Sequence, residues 1–367
     1  MALLRRLWDA IRAMTRTVTV ATIAGDGIGP EVLDAARPAI ERAARLDDTT
    51  IAWNDLPLGA DHYLATGESL PDSTFRYLRD DVDAILVGAF GDPRVPDNEH
   101  ARDILLGLRF RLDLYVNFRP VELLHPDLCA LRREGGKAGG RDVDFVIFRE
   151  NTEGAYLGEG TAEAVGTEEE RQVSHEIHTV PKIRRIVQAA FAWAAKHGKT
   201  LVTMTDKSNA IPAHRLWRRV FDEIGTEYPG ITREHRYVDV MAMEMVQAPE
   251  RLQVVVTQNL YGDILSDLGA GLVGGLGLAA SANLHPDRAG LFEPVHGSAP
   301  PLAGKGVANP MASILTGALM LDDLGCPTGA QALQVAVRQA LADGIRTRDL
   351  GGELSTTAAA QAVLDRI

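Results

Sequence analysis

The residues of this sequence best suited to chemistry are Asp263 and Asp267, in the segment 259–268. They follow the apolar run 252–256 at the start of a predicted helix, so their spacing of four places both carboxylates on one helical face. Oxygen ligands of this kind suit a hard divalent cation such as Mg²⁺ or Mn²⁺. The alternative is that an acid in a first helical turn, like Asp263, serves the helix dipole and the free N–H groups.

Three arginines on separated segments are candidates for binding a carboxylate substrate. Arg109 and Arg119 belong to the segment 105–120, and Arg149 ends the apolar strand predicted at 144–148. Arginine binds carboxylates bidentately, so three guanidinium groups converging on one pocket would hold a di-acid. Arg149 is the strongest candidate because α/β proteins place ligands where strands end. The alternative is that such arginines lie on solvated surfaces.

A lysine and a further acid complete the candidates for metal and proton chemistry. Lys207 follows the apolar run 201–204, and Asp239 lies inside an apolar stretch. A lysine buried beside a metal can have its pKa lowered enough to act as a base; salt bridging to a nearby acid is the alternative. Asp239 is a third candidate metal ligand, or a buried Asp that caps a turn.

Two stretches rich in glycine could approach a cofactor. The segment 25–31 follows the first strand, but its glycines do not complete a dinucleotide fingerprint. Pro30, near the start of the next helix, fits a tight strand-to-helix turn equally well. The loop 291–310 is dense in Gly, Pro and small residues, whose backbone can approach a flat ring or a pyrophosphate closely; a structural loop with a lone His296 is the alternative.

Composition bounds the class of protein. With 367 residues, 46% of them hydrophobic and 24% charged, the chain can form two globular domains. A formal charge of −12 argues against nucleic-acid binding, and no apolar run is long enough to predict a membrane span. The cysteines Cys129 and Cys326 are too few for a disulfide framework and fit a reducing cytoplasm.

Strand-like apolar runs alternate with helical patterns, which predicts an α/β fold with a largely parallel central sheet. The predicted strands are 17–23, 84–87, 144–148, 201–204 and 252–256, and the clearest helices are 31–45 and 182–196. We expect residues 1–16 to be a plain extension outside the fold, or to result from a start assigned before the true start at Met14, with a transit peptide as the alternative. We expect 134–141 to be a flexible turn. The acidic segment 158–180, with alternating apolar residues, is predicted to form a hairpin arm that reaches a partner subunit.

From about residue 17 to its C-terminus the chain resembles the β-decarboxylating dehydrogenases of the isocitrate/isopropylmalate dehydrogenase family. The segments 259–268 and 292–310 are the most specific to it. The resemblance implies a two-domain fold that is not of the Rossmann type. A cofactor-binding domain would comprise 17–114 and 275–367, and a dimerisation domain 115–274, with the arm at about 158–180. It also implies a cytoplasmic homodimer with shared active sites.

The resemblance further implies a role for each candidate. Mg²⁺ or Mn²⁺ would be bound by Asp239, Asp263 and Asp267, and the malate carboxylates by Arg109, Arg119 and Arg149. Lys207 would help to remove the hydroxyl proton and Tyr156 would protonate the enolate left by decarboxylation, with Lys207 and Asp239 supplied by the neighbouring subunit. Asp239 would also contact the substrate. The residues implied for NAD binding are Asn209, His296, Gly297, Ser298, Ala299, Pro300, Val307 and Asn309.

Two departures from the family pattern bear on specificity. Pro301 stands where NAD-dependent members carry an aspartate, but the lysine-tyrosine pair of NADP-dependent isocitrate enzymes is absent, so NAD is preferred over NADP. Leu105 and Leu106 suit an isopropyl side group and favour 3-isopropylmalate. However, Arg102 stands where isopropylmalate enzymes commonly carry a glutamate, and the segment 110–117 is also similar to the homoisocitrate and tartrate/D-malate branches. Two further hypotheses are an isocitrate enzyme and a non-catalytic regulatory subunit; a regulatory subunit would lack the metal aspartates or the lysine, which this chain has.

Overall fold

The computed structural model describes residues 16–131 and 142–367, so the predictions for residues 1–15 and 134–141 lie outside the described residues. The strands are β1 Arg16–Gly25, β2 Thr49–Asp55, β3 Ala84–Ala89, β4 Val116–Glu122, β5 Asp144–Glu150, β6 Gly160–Glu163, β7 Arg171–Ser174, β8 Leu201–Asp206, β9 Thr232–Tyr237, β10 Val254–Thr257, β11 Ala280–Leu284 and β12 Gly290–Pro294. The α-helices are α1 Gly29–Ala44, α2 Ala60–Thr66, α3 Asp72–Asp80, α4 Glu99–Arg111, α5 Val180–Lys196, α6 Arg215–Gly225, α7 Val238–Gln247, α8 Asn259–Leu272, α9 Met311–Asp323, α10 Pro327–Ala342 and α11 Thr356–Leu364. In the described ranges, no helix is long and apolar enough to cross a membrane.

The first of two compact units comprises Met1–Gly107, Gly277–Ala282 and Asp287–Ile367. Its strands run parallel in the order β2-β1-β3-β12. All six residues of β3 are buried, as expected for a parallel strand covered on both faces. Helix α1 packs against α9, α10 and α11 beside this sheet.

The second unit comprises Leu108–Leu276 and Asn283–Pro286. Its strands have the order β4-β5-β10-β8-β9, with β4 antiparallel to β5 and the other pairs parallel. The apolar face of α5 packs on this sheet, and every residue predicted for that face is buried: Ile183, Ile186, Val187, Ala190 and Ala194. The predicted α/β class with a mostly parallel sheet is thus confirmed.

The start of helix α8 corrects one reading of the sequence. Gln258 caps the helix, its side chain accepting a hydrogen bond from Leu260 N at 2.8 Å. Asp263 therefore lies beyond the first turn, and the proposal that it serves the helix dipole there is wrong. Strand β5 is also longer than predicted, because ladder pairing with β4 continues through Glu150, so Arg149 lies inside the strand.

The segment 158–180 contains the predicted hairpin. Strands β6 and β7 are antiparallel, with Thr161 paired to Val173, and nearly all of their residues are exposed. The alternation of apolar residues thus correctly predicts a hairpin. Its contact with a partner subunit stays a prediction.

Candidate active site

Arg149 is the most buried of the predicted site residues, with 1% of its surface exposed. Its Nε donates to Asn259 Oδ1 at 2.8 Å, and its Nη1 forms an ion pair with Asp263. The guanidinium also lies over the ring of Tyr156, 5.2 Å from its centroid. Helix α8 and Tyr156 therefore hold the side chain that β5 supplies, and its charge is neutralised by a residue predicted to bind metal.

Gly262 explains how α8 approaches Arg149 so closely. A Cβ at this position would lie 2.5 Å from Cβ and Cγ of Arg149, inside van der Waals contact. We expect Gly262→Ala to displace Arg149, to destabilise the fold by about 1–3 kcal/mol, and to raise KM. Denaturant unfolding and steady-state kinetics measure both effects. Gly271→Ala on the same helix is the matched control, since nothing lies within 4 Å of its Cβ; equal effects of the two substitutions would contradict this account.

Two further guanidinium groups lie near Arg149. Arg109, on α4, and Arg119, on β4, are 8% and 6% exposed. Burial lowers the pKa of Arg149 to about 10, and the charges of Arg109 and Arg119 act in the same direction. This concentration of positive charge in a largely buried place favours an anionic ligand.

A chain of carboxamides orients Arg119. Its Nε donates to Asn117 Oδ1 at 2.9 Å, and Asn117 Nδ2 donates to Asn283 Oδ1 at 2.8 Å. Asn151 Nδ2 donates to the same Asn283 oxygen at 2.9 Å. The sequence does not identify Asn151 and Asn283 as site residues, and the only signal for them is that Asn151 directly follows strand β5.

Asp263 and Asp267 both lie on α8, but their environments differ. Burial acts to raise the pKa of Asp263, but the charge of Arg149 and a hydrogen bond from the Tyr156 hydroxyl at 2.6 Å outweigh it, so that this pKa is lowered. Asp267 has no hydrogen bond or ion pair among the residues that the structure describes. Although Asp267 is exposed, partial desolvation raises the pKa of its carboxyl group; the charge of Arg119 acts to lower this pKa, and the charge of Asp263 acts to raise it.

Lys207 and Asp239 form a separate pair. Lys207 Nζ lies 2.6 Å from Asp239 Oδ1, and the side chain of Asp239 is 62% exposed. The interpretation of Asp239 as a buried turn cap is therefore wrong, because the first turn of α7 presents it to solvent. Within the described ranges, no hydrogen bond or ion pair connects Lys207 or Asp239 with Asp263 or Asp267.

The predicted cofactor loop lies in the first unit, seated on the glycine-rich turn. Ile28 N donates to Ser298 O at 2.8 Å, and a Cβ at Gly27 would overlap that same carbonyl. Gly25 and Gly27 have φ values of +71° and +59°, which suit glycine. These glycines thus shape a tight turn and support the 296–300 loop, which accounts for their incomplete dinucleotide fingerprint.

The residues predicted to bind cofactor on this loop differ in burial and in hydrogen bonding. His296 Nε2 is buried without a hydrogen-bond partner in the described structure, and burial lowers the pKa of His296. Asn309 is buried, and its Nδ2 donates to Asp349 Oδ2 at 3.0 Å. The remaining predicted residues of the loop are exposed at Gly297 and Pro300, half-buried at Ala299 and Val307, and buried at Ser298. The other residue predicted to bind cofactor, Asn209, is exposed beside Lys207 in the second unit.

The residues predicted to read the substrate side group lie on α4. Leu105 and Leu106 are half-buried, which leaves part of each apolar side chain able to contact a ligand. Arg102, one turn earlier, is exposed, and its Nε lies 3.6 Å from Asp103 Oδ1.

Comparison with known proteins gives one consistent result. A family model described as isocitrate/isopropylmalate dehydrogenase matches residues 19–367. Similar proteins include the 3-isopropylmalate dehydrogenase of Beutenbergia cavernae, 44% identical over 88% of this chain and 92% of the relative, and that of Thermobifida fusca, 42% identical over 96% and 98%. The crystal structure of isocitrate dehydrogenase from Methylococcus capsulatus is 37% identical, covers 95% of this chain and 99% of its own, and superposes with a TM-score of 0.85.

Proposed function

Because the chain belongs to the isocitrate/isopropylmalate dehydrogenase family, we propose that this oxidoreductase converts 3-isopropylmalate to 2-oxoisocaproate and CO₂, in leucine biosynthesis. NAD would accept the hydride, with Mg²⁺ or Mn²⁺ as the metal. The observation that carries the proposal is the cluster of three buried guanidinium groups beside Asp263 and Tyr156. Its charge and geometry suit a substrate with two carboxylates.

The proposal of an isopropyl side group is supported by two residues of α4 and by the names of the relatives. Leu105 and Leu106 offer half-buried apolar surface where a third carboxylate would require charged or polar partners. Relatives at 40–44% identity carry the name 3-isopropylmalate dehydrogenase. The solved isocitrate dehydrogenase of similar fold supports isocitrate as the second candidate.

The carboxylates of α8 fit a hard divalent cation. Asp267 has no hydrogen bond or ion pair among the described residues, and a cation would compensate its proximity to Asp263. When bound, the metal would polarise the oxygens of the substrate and stabilise the negative charge that develops during decarboxylation. Asp263 and Asp267 would hold the metal, together with Asp239 of the second subunit in the proposed dimer.

Asp267→Asn tests the proposed metal site. We expect this variant to need at least about tenfold more Mg²⁺ for half-maximal activity, because one anionic ligand is lost. The thermal stabilisation that Mg²⁺ gives the wild type should weaken in parallel, and this second measurement does not depend on turnover. Asp222→Asn, an exposed acid on α6, is the control. An unchanged Mg²⁺ requirement in Asp267→Asn would remove Asp267 from the site.

The protein residues divide the proton chemistry. Lys207 is placed at the end of β8, where its Nζ would take the proton of the substrate hydroxyl. Burial and the hydrogen bond to Asp263 raise the pKa of Tyr156, so its hydroxyl keeps the proton that it would donate to carbon after decarboxylation. Arg109, Arg119 and Arg149 would hold the carboxylates and fix the carbon skeleton.

The 296–309 loop fits the adenosine end of a dinucleotide. His296 Nε2, buried and without a partner in the described structure, is available to hydrogen-bond a base edge. The exposed backbone of Gly297 has no neighbour within 4 Å of its Cβ position, so a flat ring could approach it closely. A bound nicotinamide would supply the hydride acceptor that the protein side chains lack.

A homodimer with shared sites accounts for the separation of Lys207 from the arginine cluster. The β6–β7 hairpin is exposed, and the packed helices α7 and α8 carry exposed apolar side chains, including Met243 at 50% and Ile264 at 57%. Exposed apolar surface of this kind is typical of an interface. In such a dimer, Lys207 and Asp239 of one subunit would complete the site of the other.

Mixing two inactive variants tests the shared site. We expect Lys207→Ala and Tyr156→Phe to lose activity separately and to regain about a quarter of wild-type activity after subunit exchange. Half of the dimers would then be mixed, with one intact site in each pair. Activity per dimer after mixed refolding is the measurement, and each variant refolded alone is the control. Failure to recover despite demonstrated heterodimers would place Lys207 and Tyr156 in one subunit's site.

The experiment that tests the function itself is reduced-nicotinamide formation with Mg²⁺, comparing NAD and NADP. The substrates are 3-isopropylmalate, isocitrate, homoisocitrate, D-malate and tartrate. The expected result is the highest kcat/KM with 3-isopropylmalate and NAD. Preference for another of the five would reassign the side group, and inactivity on all five would overturn the proposal.

A further inference from the structure

Two imidazoles outside the proposed site converge on one carboxylate oxygen. His178 Nε2 and His214 Nε2 each lie 3.2 Å from Glu176 Oε1. The imidazoles are 3% and 0% exposed, and Glu176 is half-buried. We call these three residues the Glu176 cluster. A partly buried carboxylate is stabilised by polar N–H groups close to it, and the two imidazoles bring a ring nitrogen within 3.2 Å.

Hydrogen bonds on the far sides of the rings assign their tautomers. Nδ1 of His178 accepts from Trp217 Nε1 at 3.2 Å, and Nδ1 of His214 accepts from the backbone N of Lys207 at 3.1 Å. A neutral imidazole that accepts at Nδ1 carries its proton on Nε2. Each protonated Nε2 therefore lies 3.2 Å from Glu176 Oε1 without completing a hydrogen bond in the described structure, and the two rings, His178 first, lower the pKa of Glu176 to about 2.

The same three side chains have the ligand types of a metal site. A metal bound at Nε2 would need the lone pair of that nitrogen, so each ring would have to carry its proton on Nδ1. In both rings Nδ1 already faces an N–H donor, the indole of Trp217 or the peptide of Lys207. With a metal bound, each Nδ1–H would therefore face another N–H group, and neither would have an acceptor. The cluster is better suited to orient its neighbours by hydrogen bonds.

The segment that carries Glu176 and His178 also contacts the loop of Tyr156. Gly154 N donates to Ile177 O at 3.0 Å. Thr179 donates to Glu153 from its backbone N at 2.8 Å and from its hydroxyl at 2.6 Å. One short segment therefore connects the loops that bear the two residues with proposed proton-transfer roles.

We propose that the Glu176 cluster positions Lys207 for proton transfer, through the hydrogen bond that His214 Nδ1 accepts from the Lys207 peptide. The inference rests on the proposed function. Lys207 O accepts from Ala210 N and Ile211 N at 2.9 and 2.8 Å, so His214 supplies the side-chain contact that fixes the other peptide of this residue. Misplacing a reacting group by about 1 Å can lower the rate of the chemical step by about a hundredfold.

Two substitutions of His214 separate the two sides of its ring. In His214→Asn, the amide oxygen can stand in for Nδ1 and accept from Lys207. In His214→Gln, the amide reaches toward Glu176 and leaves the Lys207 N–H without its acceptor. We expect His214→Gln to lower kcat about tenfold to hundredfold, with KM for the malate substrate within about twofold, and His214→Asn to stay within about threefold of wild-type kcat. His197→Gln, an exposed histidine, is the control.

A second pair of variants covers the case in which His214→Gln does not fold, as judged by its thermal unfolding. Glu176→Gln keeps an oxygen within reach of both Nε2–H groups, whereas Glu176→Ala leaves these two buried groups with no acceptor nearby. We expect kcat to fall at least about tenfold in Glu176→Ala and less in Glu176→Gln. Equal kcat in both, close to that of the wild type, would overturn the proposal.

Nitrogen-15 NMR of histidine-labelled protein tests the cluster without any turnover. We expect His178 and His214 to show a protonated Nε2 and an unprotonated Nδ1. Variants that each lack one of these histidines assign the signals. A protonated Nδ1 in His214, or stoichiometric Zn²⁺ binding that His178→Ala abolishes, would overturn the proposal. So would an active wild type in which His214→Gln keeps its kcat or His214→Asn is equally slow. A wild type that is inactive on all five substrates of the reduced-nicotinamide assay would instead refute the proposed function. The nitrogen-15 spectrum would still show which nitrogen of each ring is protonated.

Discussion

Replacing Lys207 by alanine is expected to lower kcat by about 10²–10⁴-fold, the usual contribution of a general base. KM for the malate substrate should change by less than about threefold, because the arginines proposed to bind its carboxylates remain. The fold should keep its stability, since the partner of Lys207 is a largely exposed Asp239 and exposed ion pairs contribute little. Steady-state kinetics with saturating Mg²⁺ and NAD, together with thermal unfolding, measure all three effects.

Lys199 provides a matched control at the opposite end of strand β8. It precedes β8 at the amino end and pairs with Asp144 at 2.9 Å, as Lys207 pairs with Asp239 at the carboxyl end. Lys199→Ala removes the same charge and the same type of ion pair, so we expect kcat within about twofold of the wild type. Turnover of Lys207→Ala within a fewfold of the wild type would show that another group takes the proton.

The elements of the fold were predictable because each follows from a local pattern. The apolar face of α5 recurs at helical spacing, and the runs that became β3 and β8 are continuous, as buried parallel strands are. The pairing of Asp263 with Arg149 could be expected only in part. The spacing of Asp263 and Asp267 predicts their shared helix, but the ion pair joins positions 114 residues apart in sequence.

The supporting hydrogen bonds could not be predicted because they join distant segments through common polar residues. Asn117 and Asn283 are 166 positions apart, and an isolated asparagine carries no signal of its partner. The role of His214 is harder still to predict, since it depends on which ring nitrogen carries the proton, and the neighbours of both nitrogens decide that. For the same reason Gly262 reads as a weak helix residue until Arg149 is seen against it.

Arg149→Met is expected to lower kcat/KM by about 10²–10³-fold, because it removes a substrate-binding charge and leaves Asp263 without its cation. The methionine side chain keeps much of the apolar volume. The loss of transition-state stabilisation, calculated from kcat/KM, should therefore exceed the loss in the free energy of unfolding. The kcat/KM of Arg149→Lys should lie between that of Arg149→Met and that of the wild type. An ammonium cannot present the planar fork with which arginine contacts Asn259 and Asp263 together. Initial rates at low substrate and denaturant unfolding of both variants are the measurements.

Arg185→Met is the control that separates the loss of substrate binding from the loss of stability that follows when a partly buried arginine–aspartate pair is removed. It forms a bidentate pair with Asp113 at 2.6 and 2.8 Å and lies over the ring of Tyr115, as Arg149 pairs with Asp263 and lies over Tyr156. Arg185→Met should therefore reduce the free energy of unfolding and leave kcat/KM within about threefold of the wild type. If Arg149→Met affected kcat/KM no more than Arg185→Met does, Arg149 would be a structural residue, and the anionic substrate would have to be bound by Arg109 and Arg119 alone.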